Sequence, residues 1–226
     1  ALHAVQLSLN KRASLDDPSV LLADLRDAAA IQAIFRARRP QVVFHAAALK
    51  HLPLLERFPG EAVKTNIWGT LTVLEAASGA ERFVNISTDK AADPTSVLGY
   101  SKRAAERLTA DMARRAEGAY LSVSFGNVLG SRGSVLHTFT AQIEAGGPVT
   151  VVHPEVTRYF MTVEEAVQLV IQAGAIGKVH TVYHWTNRPI WPLFTRPMQT
   201  AFTRILCAAS STASVRVTPT TASLGE

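Results

Sequence analysis

The sequence has almost no cysteine: Cys207 is the only one among 226 residues. A single thiol cannot form an internal disulfide or build a cysteine-based metal cluster. Its rarity is consistent with a reducing cytoplasm, where disulfides seldom form. The His, Asp and Glu residues also lack the spacing of a metal site, so no metal is expected.

Long apolar runs are missing as well. No stretch reaches the roughly 18 charge-free apolar residues of a membrane-spanning helix. The first residues do not combine a basic flank with an apolar run, as a signal peptide does. With 47% hydrophobic and 7% aromatic residues, the composition is typical of a soluble globular protein. We therefore expect no membrane segment in this chain.

Acidic residues become scarce towards the end of the chain. Residues 1–177 contain 18 Lys and Arg against 17 Asp and Glu, whereas residues 178–226 contain 5 against 1. The net charge of +5 therefore resides mostly in the last part, which argues against a basic nucleic-acid-binding surface on the folded part. We predict a core over 1–177 and a basic, Ser/Thr/Pro-containing tail over 178–226, disordered from Ala208 to Glu226. A shifted reading frame, a fusion junction or a genuine basic tail would each explain this change.

Apolar runs typical of strands alternate with helical periodicity along the core. We predict strands over 21–25, 41–45, 82–87 and 121–125, and helices after Asp27 and over 62–77, 99–116 and 136–145. Apolar residues on both faces, as in 41–45, favour strands buried in a parallel sheet. The alternation predicts an α/β fold with a Rossmann-like doubly wound parallel sheet, whose ligands bind beyond the carboxyl ends of the strands.

Polar side chains gather where these predicted strands end. The run Ser87-Thr88-Asp89-Lys90 closes one strand, Lys102 follows early in a helix, and Asn127 follows the next strand. Any one of these residues alone would be an ordinary loop residue. Their joint position at adjacent carboxyl ends predicts a functional site.

Five longer motifs carry a resemblance to a known family. They are HAAALKHLP (45–53), KTNIWGT (64–70), ISTDKA (86–91), PTSVLGYSKR (94–103) and TRYFMT (157–162). In this order and spacing they resemble the CapD-like polysaccharide biosynthesis proteins, the family of UDP-N-acetylglucosamine 4,6-dehydratases within the extended short-chain dehydrogenases/reductases. The resemblance covers residues 1–177.

The resemblance implies a reaction that needs an acid and a base side by side. The sugar is oxidised at C4 by NAD+, loses its C5 proton and its C6 hydroxyl as water, and is reduced at C6. By resemblance Asp89 is the acid at C6 and Lys90 the base at C5. Thr88 would bind the C4 hydroxyl and Lys102 the nicotinamide ribose. A lysine that acts as a base must be neutral, which burial or a nearby positive charge favours.

Further contacts follow from the same resemblance. The cofactor-binding residues would be Asp24, Leu25, His45, Ala46, Ala47, Asn66, Ser87 and Lys102. The UDP-sugar would be bound by Lys50, Asn127, Arg132 and Arg158, although either arginine could instead be an ordinary surface charge. The family also suggests a homo-oligomer.

One position departs from the wider superfamily, whose catalytic tyrosine lies four residues before the lysine. Here that residue is Leu98, and Tyr100 is two residues from Lys102, about 200° round a helix. We therefore expect Tyr100 to point away, which shifts proton transfer to Asp89 and Lys90. The pair and the missing tyrosine favour a dehydratase over the alternatives, a nucleotide-sugar 4-epimerase or a non-enzymatic degenerate remnant.

A glycine-rich loop is the remaining absence. A dinucleotide-binding fold begins with a strand, a glycine-rich turn and a helix whose N-terminus binds the pyrophosphate. No such turn precedes Asp24, so we expect the sheet to lack its first β-α-β segment. We accordingly expect this chain by itself to bind NAD weakly and to have little dehydratase activity.

Overall fold

The computed structural model describes residue 7 and residues 17–129, 135–150, 160–175 and 182–184. Its strands are β1 (Val42–His45), β2 (Arg82–Thr88), β3 (Ala119–Phe125), β4 (Asn127–Val128), β5 (Phe160–Met161) and β6 (Val182–His184). Four of them form a parallel sheet in the order β1-β2-β3-β6, and β4 pairs with β5. The predicted parallel α/β architecture is confirmed.

Helices connect and cover these strands. They are α1 (Ala28–Arg38), α2 (Leu52–Arg57), α3 (Pro59–Ala62), a π-helical turn (Val63–Trp68), α4 (Gly69–Ala76), a 3-10 turn (Asp89–Ala91), α5 (Val97–Arg115), α6 (Val135–Glu144) and α7 (Val163–Ala175). No helix in the described part of the chain is both long and apolar enough to cross a membrane.

Local sequence explains where the main helices begin and end. The Asp27 side chain accepts a hydrogen bond from the Ala30 N–H, as a helix N-cap does, and α1 ends before Arg39 in the left-handed region (φ 44°). Ser96 caps α5 in the same way, with its hydroxyl accepting from the Gly99 N–H. These caps agree with the predicted helix positions.

The two faces of the sheet pack against different helices. On one face Phe83 and Tyr120 stack with ring centroids 5.6 Å apart, in a cluster with residues of α1, α4 and α5. On the other face Val84 and Val123 pack against Ala173 of α7. Alternate residues of one strand therefore belong to two separate cores.

Two strand predictions need correction. Residues 21–25 form no strand. Among the described residues β1 is the edge of the sheet, and no further strand pairs with its outer side. Strand β1 was predicted to be buried on both faces, yet Val42 and Phe44 are 45% and 52% exposed. Helix α7 packs on β2 and β3, so the described residues leave that side of β1 largely open.

The predicted helix over 62–77 is present but contains the π-helical turn at Val63–Trp68. This wider turn contains Asn66, which is 1% exposed. In the predicted tail the structure describes only 182–184, where β6 extends the sheet. The disorder predicted for Ala208 to Glu226 lies outside the described residues, and the boundary at 177 stays a prediction.

Candidate functional site

The site is built where β2 and β3 end side by side. Thr88, the last residue of β2, lies opposite Phe125, the last residue of β3. The chain continues from Thr88 into the 3-10 turn that carries Asp89 and Lys90, and from Phe125 to Asn127. Parallel register therefore places both polar segments at one edge, as the sequence predicted.

A hydrogen-bonded cluster centres on the Asp89 carboxylate. The Thr88 hydroxyl donates to Asp89 Oδ1 at 2.9 Å, and Lys90 Nζ lies 3.0 Å from the same oxygen. Lys90 Nζ also donates to Asn127 Oδ1 at 3.3 Å. The side chains of Asp89 and Lys90 are 14% and 28% exposed, so the ion pair is half-shielded from water but reachable.

Lys102 reaches the same edge from α5. Its Nζ donates to the Ile86 carbonyl of β2 at 2.7 Å, two residues before Thr88. Burial lowers the pKa of Lys102 to about 8, and the negative charge of Glu106 acts in the opposite direction. The amine therefore titrates closer to neutrality than a surface lysine does.

His45, at the end of β1, is buried and internally bonded. Its Nε2 lies 2.9 Å from the Thr70 hydroxyl, which itself donates to the Asn66 carbonyl. Because that hydroxyl proton is already used, Nε2 carries the proton of the imidazole and donates to Thr70. Burial, helped by the positive charge of Lys102, lowers the pKa of His45 to about 4, so the ring is neutral at neutral pH.

Asn66 holds the loop that follows β1. Its Oδ1 accepts from the Leu49 N–H at 2.8 Å, and its Nδ2 donates to the Leu49 carbonyl and to the Ser101 hydroxyl. An amide that is almost fully buried and bonded in this way positions the loop on α5. In that loop Ala46, Ala47 and Lys50 are exposed.

Ser87 has the features of an unfilled ligand contact. It is 5% exposed, and its hydroxyl has no hydrogen-bond partner among the described residues. Buried hydroxyls are rarely left unpaired in folded proteins. Together with the Lys102 ammonium, and with the exposed small residues Ala46 and Ala47 in the loop after β1, it fits the hydroxyl-rich ribose and amide of a dinucleotide.

Asp24 and Leu25 lie farther from this cluster. Asp24 accepts from the Arg26 guanidinium at 2.7 Å, and this hydrogen bond is the main reason its pKa is lowered to about 2. Leu25 packs against the buried core and approaches Gly69 of α4, where an added Cβ would lie 3.2 Å from Leu25 Cβ. Asp24 remains half-exposed and accessible to a ligand, whereas Leu25 is mainly a packing residue.

Two positions that shape the site were missed by the sequence analysis. A Cβ on Gly99 would lie 2.6 Å from the Lys90 carbonyl oxygen, so only glycine lets α5 approach the 3-10 turn this closely. Arg103 donates to the carbonyls of Ala91 and Ala92 at the end of that turn. Gly99 was predicted as the first residue of its helix, whereas the helix begins at Val97; a glycine within a helix often has a packing reason.

The structure describes two of the four remaining predicted positions, Leu98 and Tyr100. Leu98 is buried against Leu55 and Ala62, whereas Tyr100 is 61% exposed, as the helix geometry predicted. Arg132 and Arg158 lie outside the described residues. The arrangement thus offers a carboxylate–amine pair in contact, without a tyrosine hydroxyl at the position four residues before Lys102.

The chain matches the family model described as polysaccharide biosynthesis protein over residues 2–189. It is 52% identical over 164 residues to the "Probable polysaccharide biosynthesis protein EpsC" of Bacillus subtilis, covering 72% of this chain and 27% of that protein. It is 48% identical over 166 residues to the "Capsular polysaccharide biosynthesis protein CapD" of Staphylococcus aureus, covering 72% and 28%. The chain thus spans about a quarter of the length of these relatives.

Other similarities extend to epimerases and to solved structures. A "UDP-glucose 4-epimerase" of Rickettsia akari is 35% identical over 179 residues, covering 76% of this chain and 52% of that protein. The X-ray structure of Pen from Bacillus thuringiensis superposes with a TM-score of 0.65 at 37% identity, covering 69% of this chain and 50% of that one. The DesIV dTDP-glucose 4,6-dehydratase of Streptomyces venezuelae, solved with NAD, superposes with a TM-score of 0.67 at 18% identity, covering 86% and 65%. At that identity the likeness to DesIV concerns the fold.

Proposed function

The chain belongs to the polysaccharide biosynthesis protein family, and from this premise we propose that it carries the catalytic centre of an NAD-dependent nucleotide-sugar 4,6-dehydratase. Its substrate would be a UDP-N-acetylhexosamine, and its product would feed surface polysaccharide synthesis. The observation that carries the proposal is the 3.0 Å contact between Lys90 Nζ and Asp89 Oδ1 at the carboxyl end of the sheet.

Dehydration needs a neutral base and a protonated acid at neighbouring carbon atoms. Transfer of one proton from Lys90 Nζ to Asp89 Oδ1 would supply both forms and would leave the net charge of the pair unchanged. Lys90 then accepts the C5 proton of the sugar, and Asp89 donates a proton to the departing C6 hydroxyl. The Asn127 side-chain oxygen accepts from Lys90 and the Thr88 hydroxyl donates to Asp89, which holds the pair in place. Thr88 would also bind the C4 hydroxyl, and Asn127 would contact the UDP-sugar.

The cofactor would supply a reversible hydride acceptor. Lys102 and Ser87 would hold its ribose and amide, with the backbone of Ala46 and Ala47 beside it and Asp24 near its adenine end. His45 and Asn66, which are internally bonded, would support these contacts from beneath. Lys50, Arg132 and Arg158 would bind the UDP part of the substrate by charge-assisted hydrogen bonds.

The proposal includes a cytoplasmic location and a homo-oligomeric state. Nucleotide sugars and NAD are cytoplasmic metabolites, and a chain with one cysteine suits that compartment. The family resemblance is the support for the oligomer.

The proposal is tested by assaying the chain with UDP-N-acetylglucosamine and NAD, alone and joined to the parts of EpsC that lie outside the 164 matched residues. We expect a 4-keto-6-deoxy product in the joined protein and little in the chain alone. Lys90→Ala and Asp89→Asn should each reduce that activity by about 10²–10⁴-fold, the usual contribution of a general acid or base. Wild-type activity in both variants would refute the roles of the pair.

A nucleotide-sugar 4-epimerase is the second candidate. It is favoured by the similarity to proteins named UDP-glucose 4-epimerase. Interconversion of UDP-glucose and UDP-galactose without any 4-keto-6-deoxy product would select this function. Failure of the joined protein to bind NAD or UDP-sugar in calorimetry would instead select a non-enzymatic remnant.

A further inference from the structure

A buried carboxylate lies next to Lys102 and has no part in the chemistry proposed above. Glu106 follows Lys102 by one helical turn on α5, and the two residues are 8% and 9% exposed. A buried charged side chain is unfavourable unless a hydrogen bond or an opposite charge compensates it. Both kinds of compensation are present here.

The two side chains connect α5 to neighbouring strands. Lys102 Nζ donates to the Ile86 carbonyl of β2 at 2.7 Å, and the Ser124 hydroxyl of β3 donates to Glu106 Oε1 at 2.6 Å. Ser124 lies opposite Ser87 in the register of β2 and β3. The carboxylate is therefore held close to the edge where the ligand-binding residues gather.

Glu106 opposes the effect of burial on Lys102. Burial by itself favours the neutral amine, and it lowers the pKa of Lys102 to about 8, whereas the charge of Glu106 raises it. The described contacts include no direct ion pair between the two residues, so the carboxylate acts through space. In a shielded interior such an interaction is much stronger than in water.

We propose that Glu106 is a positioning residue for Lys102: its carboxylate, fixed by Ser124, is the countercharge that keeps the buried ammonium charged at the ligand-binding edge. The inference deepens the proposed function, because there the charged Lys102 binds the nicotinamide ribose. The countercharge itself can be measured without cofactor or sugar.

Other charged groups on the elements around Lys102 differ from Glu106 in exposure or charge. They are His45 on β1, Glu56 and Arg57 on α2, Glu61 and Lys64 before α4, Asp89 and Lys90 on the 3-10 turn, and Arg103 on α5. Of these only His45 is buried, and its lowered pKa keeps it neutral above about pH 5. Glu106 is therefore the one buried negative charge among the described groups on these elements.

The test is a titration of the Lys102 side chain by NMR in the full 226-residue chain, with Lys102→Arg to assign its signal. Glu106→Gln removes the charge but keeps an oxygen that accepts from Ser124. We expect the pKa of Lys102 to fall below its wild-type value of about 8 in this variant, because the negative charge that favours the protonated amine is gone. Glu106→Asp, which keeps the charge, and Thr109→Ser, a buried control on the same helix, should leave it near 8.

A second variant guards against misfolding of Glu106→Gln. Glu106→Leu combined with Ser124→Ala removes the charge and leaves no unpaired hydroxyl, a type of replacement that buried polar pairs often tolerate. It should lower the pKa of Lys102 equally. An unchanged Lys102 pKa in a folded charge-removing variant would overturn the inference. A failed dehydratase assay would leave this result untouched, because the titration uses neither NAD nor sugar.

Discussion

The two faces of the central sheet differ in chemistry although they share the same strands. The face under α4 and α5 carries the buried polar residues His45, Asn85, Ser87, Ser122 and Ser124, beside the aromatic pair Phe83 and Tyr120. The face under α7 carries Val84, Ile86, Leu121, Val123 and Phe125. Because successive residues of a strand point to opposite faces, the sheet has an apolar face under α7 and a polar face under α4 and α5.

Hydrogen bonds across the polar face explain its composition. Asn85 Nδ2 donates to the Ser122 hydroxyl at 3.1 Å, and these two residues lie in one row of the sheet with His45. In a shielded interior such bonds are strong when made and unfavourable when left unmade. On the same face the Ser124 hydroxyl donates to Glu106 of α5, so the polar face also bonds the sheet to this helix.

The largest expected difference between the faces comes from matched phenylalanine truncations. Phe83→Ala removes a fully buried ring that stacks on Tyr120, so it should reduce the free energy of unfolding by about 3–5 kcal/mol. Phe44→Ala removes a ring that is 52% exposed and should cost about 1 kcal/mol. Urea unfolding measures both, and equal losses would contradict the assignment of Phe44 to an open face.

Low pH should reduce the free energy of unfolding, because His45 on the polar face is buried in its neutral form. Its folded-state pKa of about 4 lies below the ordinary value of 6.5, so the unfolded chain binds more protons between these two values. The stability contributed by neutral His45 is present above about pH 6.5 and is lost as the pH falls towards 4. Between pH 7 and pH 4.5 the loss should be about 2 kcal/mol.

His45→Asn isolates this effect, because an amide does not titrate in that range. Urea unfolding at several pH values should give a shallower acid slope for the variant than for the wild type. Parallel slopes would mean that His45 is not held neutral in the folded chain.

A smaller effect is expected where the polar face meets the 3-10 turn. Gly99→Ala places a Cβ 2.6 Å from the Lys90 carbonyl, so the turn or α5 must shift, at about 1–2 kcal/mol. Gly60→Ala is the matched helix control, because a Cβ there meets nothing within 4 Å. Urea unfolding should show a loss for Gly99→Ala only, and chemical-shift changes at Asp89 and Lys90 should accompany it.

The smallest effect is expected on the outer surface of α5. Tyr100 is 61% exposed, so Tyr100→Phe should change the free energy of unfolding by less than about 0.5 kcal/mol. It should also leave dehydratase activity within about twofold, in contrast to Lys90→Ala. A loss comparable to that of Lys90→Ala would give the tyrosine a catalytic part and reverse the proposed distribution of proton transfer.

The sequence by itself predicted the strands β1, β2 and β3, the main helices, and the polar segments that follow β2 and β3. Local signals were sufficient for α1 and α5, because capping residues and helical periodicity act within a few positions along the chain. They also brought Thr88, Asp89, Lys90 and Asn127 to one edge, because parallel strands place their carboxyl ends together. The specific motifs added the family, which the comparisons confirm.

Only the tertiary structure decided which predicted strands pair in the sheet and which of their residues are buried. Residues 21–25 have a strand-like composition but pair with no strand in the described part of the chain. Val42 and Phe44 have the composition of a buried strand, yet they are 45% and 52% exposed. The countercharge of Glu106 was equally hidden, because it depends on Ser124, 18 residues away on another element. Strand pairing, burial and the interactions of buried charges depend on residues that are distant in sequence, so a local sequence pattern does not predict them.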